Sequence, residues 1–167
     1  DDFTSGTTAA AFGGTTTLID FCIQTPGDTF AQALEKYHEK IERCRPVIDV
    51  GFHMAVTDLH TGGTLEDLAR LPDEGVTSYK LFMAYKGETM VDDETLIRVL
   101  HQARANGAMV MVHAENGDAV EYLRERFAAQ GKLSPRYHAL SRPPRVEAEA
   151  TARAIALAEL IGASIYI

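Results

Sequence analysis

Short β-branched apolar runs recur along the chain, and each is followed by a segment whose apolar residues return every three or four positions. The first habit suits a strand buried on both faces, the second a helix with one buried stripe. Strands are predicted at residues 15–21, 47–56, 78–83, Met109–His113 and 164–167. A helix is predicted over 2–12, where Ala9, Ala10 and Ala11 favour helix and Gly13-Gly14 can end it at positive φ. The next starts near Gly27-Asp28, with Asp28 or Thr29 as cap, and runs through Phe30, Leu34, Tyr37 and Ile41. Further helices are predicted over 65–71, Asp93–Asn106, 118–130 and 146–161. Residues 131–144, rich in Pro, Arg and Ser, read as a long loop.

Equivalent strand positions, Leu18, Val50, Tyr79 and Val110, lie roughly 30 residues apart, the length of one βα unit with its loops. The pattern is parallel α/β. An open doubly wound sheet would advertise a glycine-rich turn after its first strand, but no GxGxxG follows residues 15–21. The expected fold is therefore part of a (β/α)8 TIM-type barrel, which takes roughly 250 residues for its eight strands. Here 167 residues supply about five strands as one partial barrel domain, 1–167. The chain starts at Asp1 without Met and stops at Ile167 inside an apolar run, so both ends are expected to be cut.

Composition narrows the function. Sixteen Lys and Arg against 24 Asp and Glu give a formal charge of -8, which repels a phosphate backbone or an anionic membrane surface. Nucleic acid and membrane are not expected partners. No apolar run approaches the roughly 20 residues of a membrane span, and no basic stretch with an apolar signal segment opens the chain. A cytoplasmic protein is expected. Cys22 and Cys44 lack a CxxC spacing and read as reduced thiols.

In a parallel barrel, chemistry gathers at the carboxyl ends of the strands. His113 closes the run Met109–His113 and precedes Ala114-Glu115-Asn116. It is either a hydrogen-bonded strand-end histidine or an imidazole ligand for a metal. Lys80 sits inside Tyr79-Lys80-Leu81-Phe82-Met83, where dehydrating an ammonium costs on the order of several kcal/mol unless it is paired or neutralised. It is a lysine snorkelling to a rim, a Schiff-base amine, or an amine that takes up carbon dioxide and becomes an anionic carbamate. Tyr85, past the strand end, either packs or donates its hydroxyl to a developing oxyanion. His53, Asp58 and His60 do not match a compact metal motif and read as structural. Asp92-Asp93-Glu94 reads as a helix start with carboxylates at the positive dipole end. Glu147 and Glu149 form no acid/base pair by spacing, and Ser5 and Ser141 nominate no partner histidine.

Several strings together resemble one family. They are Asp1-Asp2-Phe3-Thr4-Ser5-Gly6-Thr7, Gly13-Gly14-Thr15-Thr16, Lys80-Leu81-Phe82-Met83-Ala84-Tyr85-Lys86, Val112-His113-Ala114-Glu115-Asn116-Gly117-Asp118, and Ser141-Arg142-Pro143 with Val146-Glu147-Ala148-Glu149-Ala150. In this combination the chain resembles, from first residue to last, the dihydropyrimidinase and D-hydantoinase family of cyclic amidohydrolases. The resemblance implies a hydrolase that opens the cyclic amide of dihydropyrimidines or 5-substituted hydantoins to N-carbamoyl amino acids. It implies two zinc ions per full-length subunit, carbon dioxide to carboxylate a lysine, a bridging hydroxide, a small cyclic ureide as substrate, and homotetramers. By position, Lys80 corresponds to the carboxylated bridge, His113 to a metal ligand, Tyr85 to the tyrosine that polarises the scissile carbonyl, and Phe82 to a residue near the substrate's ring substituent. Lys86 shares the motif, but the spacing favours Lys80.

The departures are informative too. The family's His-x-His pair would lie upstream of Asp1, a further histidine would follow 164–167, and the aspartate that shuttles the proton belongs to a later strand. The 167 residues alone are thus expected to be inactive and to aggregate through unpaired strand edges. Two other readings remain: a sister amidohydrolase such as an allantoinase or dihydroorotase, and a noncatalytic scaffold like the collapsin response mediator proteins. The scaffolds lose metal-site residues, whereas Lys80 and His113 are present here.

Overall fold

A computed structural model describes residues 2–167; Asp1, which opens the first of the family-like strings, lies outside the described residues. The chain divides into two compact units, Asp1–Tyr79 and Lys80–Ile167.

The first unit opens with α1 (Phe3–Phe12), entered through a capping box in which Asp2 and Ser5 satisfy each other's backbone N–H. Gly14 then turns the chain at φ 87°. The strand predicted at 15–21 is displaced to β1 (Thr17–Ile23). The reason is local: Thr15 N–H still bonds the Ala10 carbonyl at 2.9 Å, so the helix exit consumes that residue. Next come α2 (Phe30–Cys44), boxed by Thr29 and Gln32, and β2 (Asp49–Ala55), parallel to β1 from Thr17 opposite Asp49 to Ile23 opposite Ala55. Val47, expected in this strand, instead donates its N–H to the Thr7 hydroxyl at 3.1 Å. After α3 (Leu65–Arg70), a 3₁₀ turn over Leu71–Glu74 ends at Gly75, whose φ is 84°.

β3 (Ser78–Phe82) carries the chain from the first unit into the second. There, α4 (Asp93–Asn106) begins on an Asp92 cap and stops at Gly107, as the acidic start and glycine stop predict. β4 (Met109–His113) matches its expected bounds, and α5 (Gly117–Ala129) starts one residue early because Asn116 is its cap. The predicted loop 131–144 contains a short helix, α6 (Arg136–Leu140), whose Tyr137 ring lies 5.2 Å from that of Phe127 on α5. Of the three prolines that helped suggest a loop, Pro135 sits at the entry of α6 and Pro144 opens the next helix, positions at a helix start that proline tolerates. α7 (Pro144–Ile161) and the short β5 (Ile165–Tyr166), parallel to β4, complete the unit.

The strand order is β1-β2-β3-β4-β5, so each strand neighbours the next in sequence. That is the α/β order expected of part of a parallel barrel. In the second unit, Val99, Leu100, Val110, Ala150 and Ala154 are fully buried, and small residues let α7 approach α4. Cys22 and Cys44 are free thiols, as expected. No helix among the described residues is long and apolar enough to cross a membrane.

Candidate active site

Strand alternation selects which side chains share a face. On β3, Tyr79 and Leu81 are fully buried while Lys80 and Phe82 are only half-buried; on β4, Val110 and Val112 are buried while Met111 and His113 are half-buried. Successive strand residues point to opposite faces. Lys80, Phe82, Met111 and His113 therefore belong to the less covered side, with His113 at the carboxyl end of its strand.

Phe82 is the hub of this cluster. Its ring centroid lies 5.3 Å from the Lys80 Nζ, 5.8 Å from the Tyr85 ring and 6.0 Å from the His113 ring. Tyr85 and His113 close the triangle at 5.2 Å. Partial burial lowers the Lys80 pKa by desolvating its ammonium. Lys80 is thus half-buried rather than fully enclosed.

Tyr85 is held by a tight turn. Its carbonyl accepts the N–H groups of Glu88, Thr89 and Met90, and its φ is 68°. The left-handed region costs an L-residue roughly 1–2 kcal/mol, and such conformations concentrate where a side chain must be aimed. The turn is latched to β4 from below: Met83 N–H bonds the His113 carbonyl, and Gly117 N–H bonds the Met83 carbonyl, both at 3.0 Å.

His113 has a partner that sequence reasoning missed. Its Nε2 lies 2.8 Å from Glu115 Oε2, and the Arg142 Nε stands 3.5 Å from that same oxygen. Glu115 had a faint signal, as the second residue after a strand-end histidine. Arg142 lay in the family-like string Ser141-Arg142-Pro143, but nothing in the sequence paired it with Glu115, because only the path of α5 and α6 returns it to β4.

Other candidates fall away from this cluster. Lys86 pairs with Asp118 at 2.5 Å with both side chains exposed. In the first unit His53 Nδ1 meets the Ser78 hydroxyl at 2.5 Å and its ring lies 5.3 Å from Phe21. The Asp58 carboxylate accepts the N–H groups of Gly27, His60 and Thr61 and the Thr61 hydroxyl, a loop-building role. Asp92 caps α4, Glu149 pairs with Arg153 and Asn116, and the Ser141 hydroxyl donates to the His138 carbonyl, so no nucleophilic triad forms from these residues. A cleft of about 420 Å³ in the first unit is lined by residues including Phe3, Leu18, Asp20, Tyr37, Lys40 and Cys44. It contains none of the clustered residues.

Among the described residues no three His, Cys, Asp or Glu side chains gather closely enough to hold a metal ion. What the second unit offers is a half-buried amine whose proton affinity is lowered and an imidazole whose Nε2 is engaged by a carboxylate. Those two donor types suit a carbamate-and-histidine site in part, as the set anticipated from the sequence requires.

Comparison with known proteins bears on the family resemblance. No family model matches the chain. The D-hydantoinase of Ralstonia pickettii is 55% identical over 167 residues, which is 100% of this chain and 36% of that protein. Along its whole length the chain is similar to D-hydantoinases and dihydropyrimidinases. A solved D-hydantoinase structure superposes with a TM-score of 0.95 at 54% identity, covering 100% of this chain and 36% of its own. The crystal structure of dihydropyrimidinase from Brevibacillus agri gives 0.94 at 50% identity, covering 99% of this chain and 36% of its own. The family reading of the motifs is borne out along the whole chain. This segment spans about a third of the length of the D-hydantoinases it matches, 36% of the Ralstonia protein.

Proposed function

We propose that the complete protein carrying this segment hydrolyses the cyclic amide of dihydropyrimidines or 5-substituted hydantoins to N-carbamoyl amino acids, and that residues 1–167 are one part of its barrel domain. The observation that carries the reading is the triangle of Phe82, Tyr85 and His113 with Lys80 beside it, in a chain 55% identical over 167 residues to a protein named D-hydantoinase.

Each residue has a task its position suits. The Lys80 amine adds to carbon dioxide, forming an N–C bond and releasing a proton to solvent; the resulting carbamate is an anion with two oxygens for cations. Its lowered proton affinity favours the free amine that this addition needs. His113 supplies a second donor. When bound, two divalent metal ions, zinc by resemblance, supply Lewis acidity and an acidified water. Tyr85 donates its hydroxyl to the carbonyl oxygen as negative charge develops there. Phe82 gives the ring substituent of the substrate an apolar wall. The remaining ligands belong to other parts of the complete protein, which we propose to be a cytoplasmic homotetramer.

The test uses the complete protein, produced with zinc and bicarbonate. Ring opening of dihydrouracil or a hydantoin, abolished by Lys80→Ala and by His113→Ala together with loss of bound metal, supports the proposal. Opening of allantoin or dihydroorotate instead places the protein with a sister amidohydrolase. A folded protein that binds no metal and opens none of these rings is the scaffold alternative, and the catalytic reading fails.

A further inference from the structure

The contact between His113 and Glu115 has a direction that the metal reading alone does not give. An ionised carboxylate only accepts hydrogen bonds, so an Nε2 standing 2.8 Å from Glu115 Oε2 carries the hydrogen. In the neutral ring the lone pair then lies on Nδ1. Three neighbours restrain the ring in this orientation: Glu115 at one nitrogen, and the rings of Tyr85 at 5.2 Å and Phe82 at 6.0 Å.

Glu115 is held in turn. Its side chain is 15% exposed and that of Arg142 is 20% exposed, less than the 34% of His113, so the supporting pair lies deeper than the group it supports. Arg142 stands 3.5 Å from the oxygen that faces His113, and its Nη1 lies 3.4 Å from both the His138 carbonyl and the Ser141 hydroxyl. Ser141 itself is 1% exposed and donates to the His138 carbonyl at 2.8 Å, which fixes the segment that delivers Arg142. On the other side, Asn116 N–H bonds the Val146 carbonyl at 3.0 Å, tying the chain just after Glu115 to the start of α7.

We infer that Glu115 and Arg142 are positioning residues that keep His113 as its Nε2–H tautomer, so that Nδ1 is the atom presented to a metal ion. Ser141-Arg142-Pro143 thereby gains a physical role: it carries the cation that orients Glu115. The inference rests on the proposal that His113 is a metal ligand.

The test is made on the complete protein, with zinc affinity read by chelator competition and the ligand field read from the d–d absorption of the cobalt-loaded form. Glu115→Ala is expected to weaken metal binding about 10- to 100-fold, the usual effect of losing a group that orients a ligating histidine, and to shift the cobalt spectrum. Glu115→Gln keeps an acceptor oxygen and is expected to restore most of both. Arg142→Ala is expected to fall between wild type and Glu115→Ala, and it carries the same test should Glu115→Ala not fold. Wild-type affinity and spectrum in Glu115→Ala and Arg142→Ala overturn the inference, as does an equal loss in the Ala and Gln variants of Glu115. If His113→Ala keeps its full metal content, the ligand proposal beneath it falls as well; if His113→Ala loses metal while Glu115→Ala does not, only the positioning role falls.

Discussion

Tyr85 and His113 face one another with ring centroids 5.2 Å apart, one from a left-handed turn after β3 and the other from the last residue of β4. Two adjacent strand ends thus present a phenol and an imidazole side by side. The turn accepts an unfavourable backbone at Tyr85, and what it gains is the direction of that ring.

Removing only the Tyr85 hydroxyl isolates its chemistry. Tyr85→Phe keeps the ring contacts and the turn, so thermal stability and metal content are expected to stay at wild-type levels. Loss of a donor to a developing oxyanion lowers kcat about 100-fold or more. Steady-state kinetics beside a thermal melt checks both halves, and an unchanged kcat removes Tyr85 from the mechanism.

The Lys80 site separates stability from function in another way. Lys80→Met keeps the aliphatic stem and removes a half-buried, partly dehydrated ammonium. The variant is expected to fold, while activity and bound metal are lost. A large fall in metal-free stability would mean that Lys80 serves the fold more than the site.

How much of this was legible in the sequence differs by element. α4 and β4 could be bounded because Asp92, Gly107 and the Met109–His113 run each act locally. β1 slipped because Thr15 is spent on a helix exit, a bond between backbone atoms that no side chain advertises. α6 was hidden because a proline at a helix entry reads like a loop residue. His113 and Tyr85 drew notice as polar groups at strand ends and Lys80 as a charge inside an apolar run, but only the family-like strings assigned them roles. The Glu115 and Arg142 pair was out of reach, since it depends on how a helix and a turn bring two distant segments together.

Asp58 ties stability to pH in the first unit. Burial pushes its carboxyl pKa up, but the Thr61 hydroxyl and the N–H groups of His60, Gly27 and Thr61 outweigh that and bring it from 3.8 down to about 2. A depressed folded-state pKa stabilises the protein above the unfolded value, and the gain disappears as pH falls through the folded one. The contribution is about 2 kcal/mol, present above pH 4 and lost towards pH 2. Denaturant midpoints measured from pH 5 to pH 2 should fall more steeply for wild type than for Asp58→Asn, which is expected to be weaker already at pH 5.

Gly117 is the mechanical link between the Tyr85 turn and α5. A Cβ at this position would stand 2.6 Å from the Met90 sulfur, 2.8 Å from the Met83 carbonyl oxygen and 2.9 Å from the Ala84 Cα. The methionine can swing away, but the backbone of residues 83 and 84 cannot yield without moving the turn that aims Tyr85. Gly117→Ala would add helix propensity to the first residue of α5, so a simple helix argument predicts a more stable protein. The close approach predicts the opposite: overpacking against backbone costs about 1–3 kcal/mol, and the displaced turn carries Tyr85 away from His113. The variant is therefore expected to lose both stability and kcat while keeping its bound metal, because Lys80 and His113 lie on the strands. A stable, fully active Gly117→Ala would show that the turn does not need this latch.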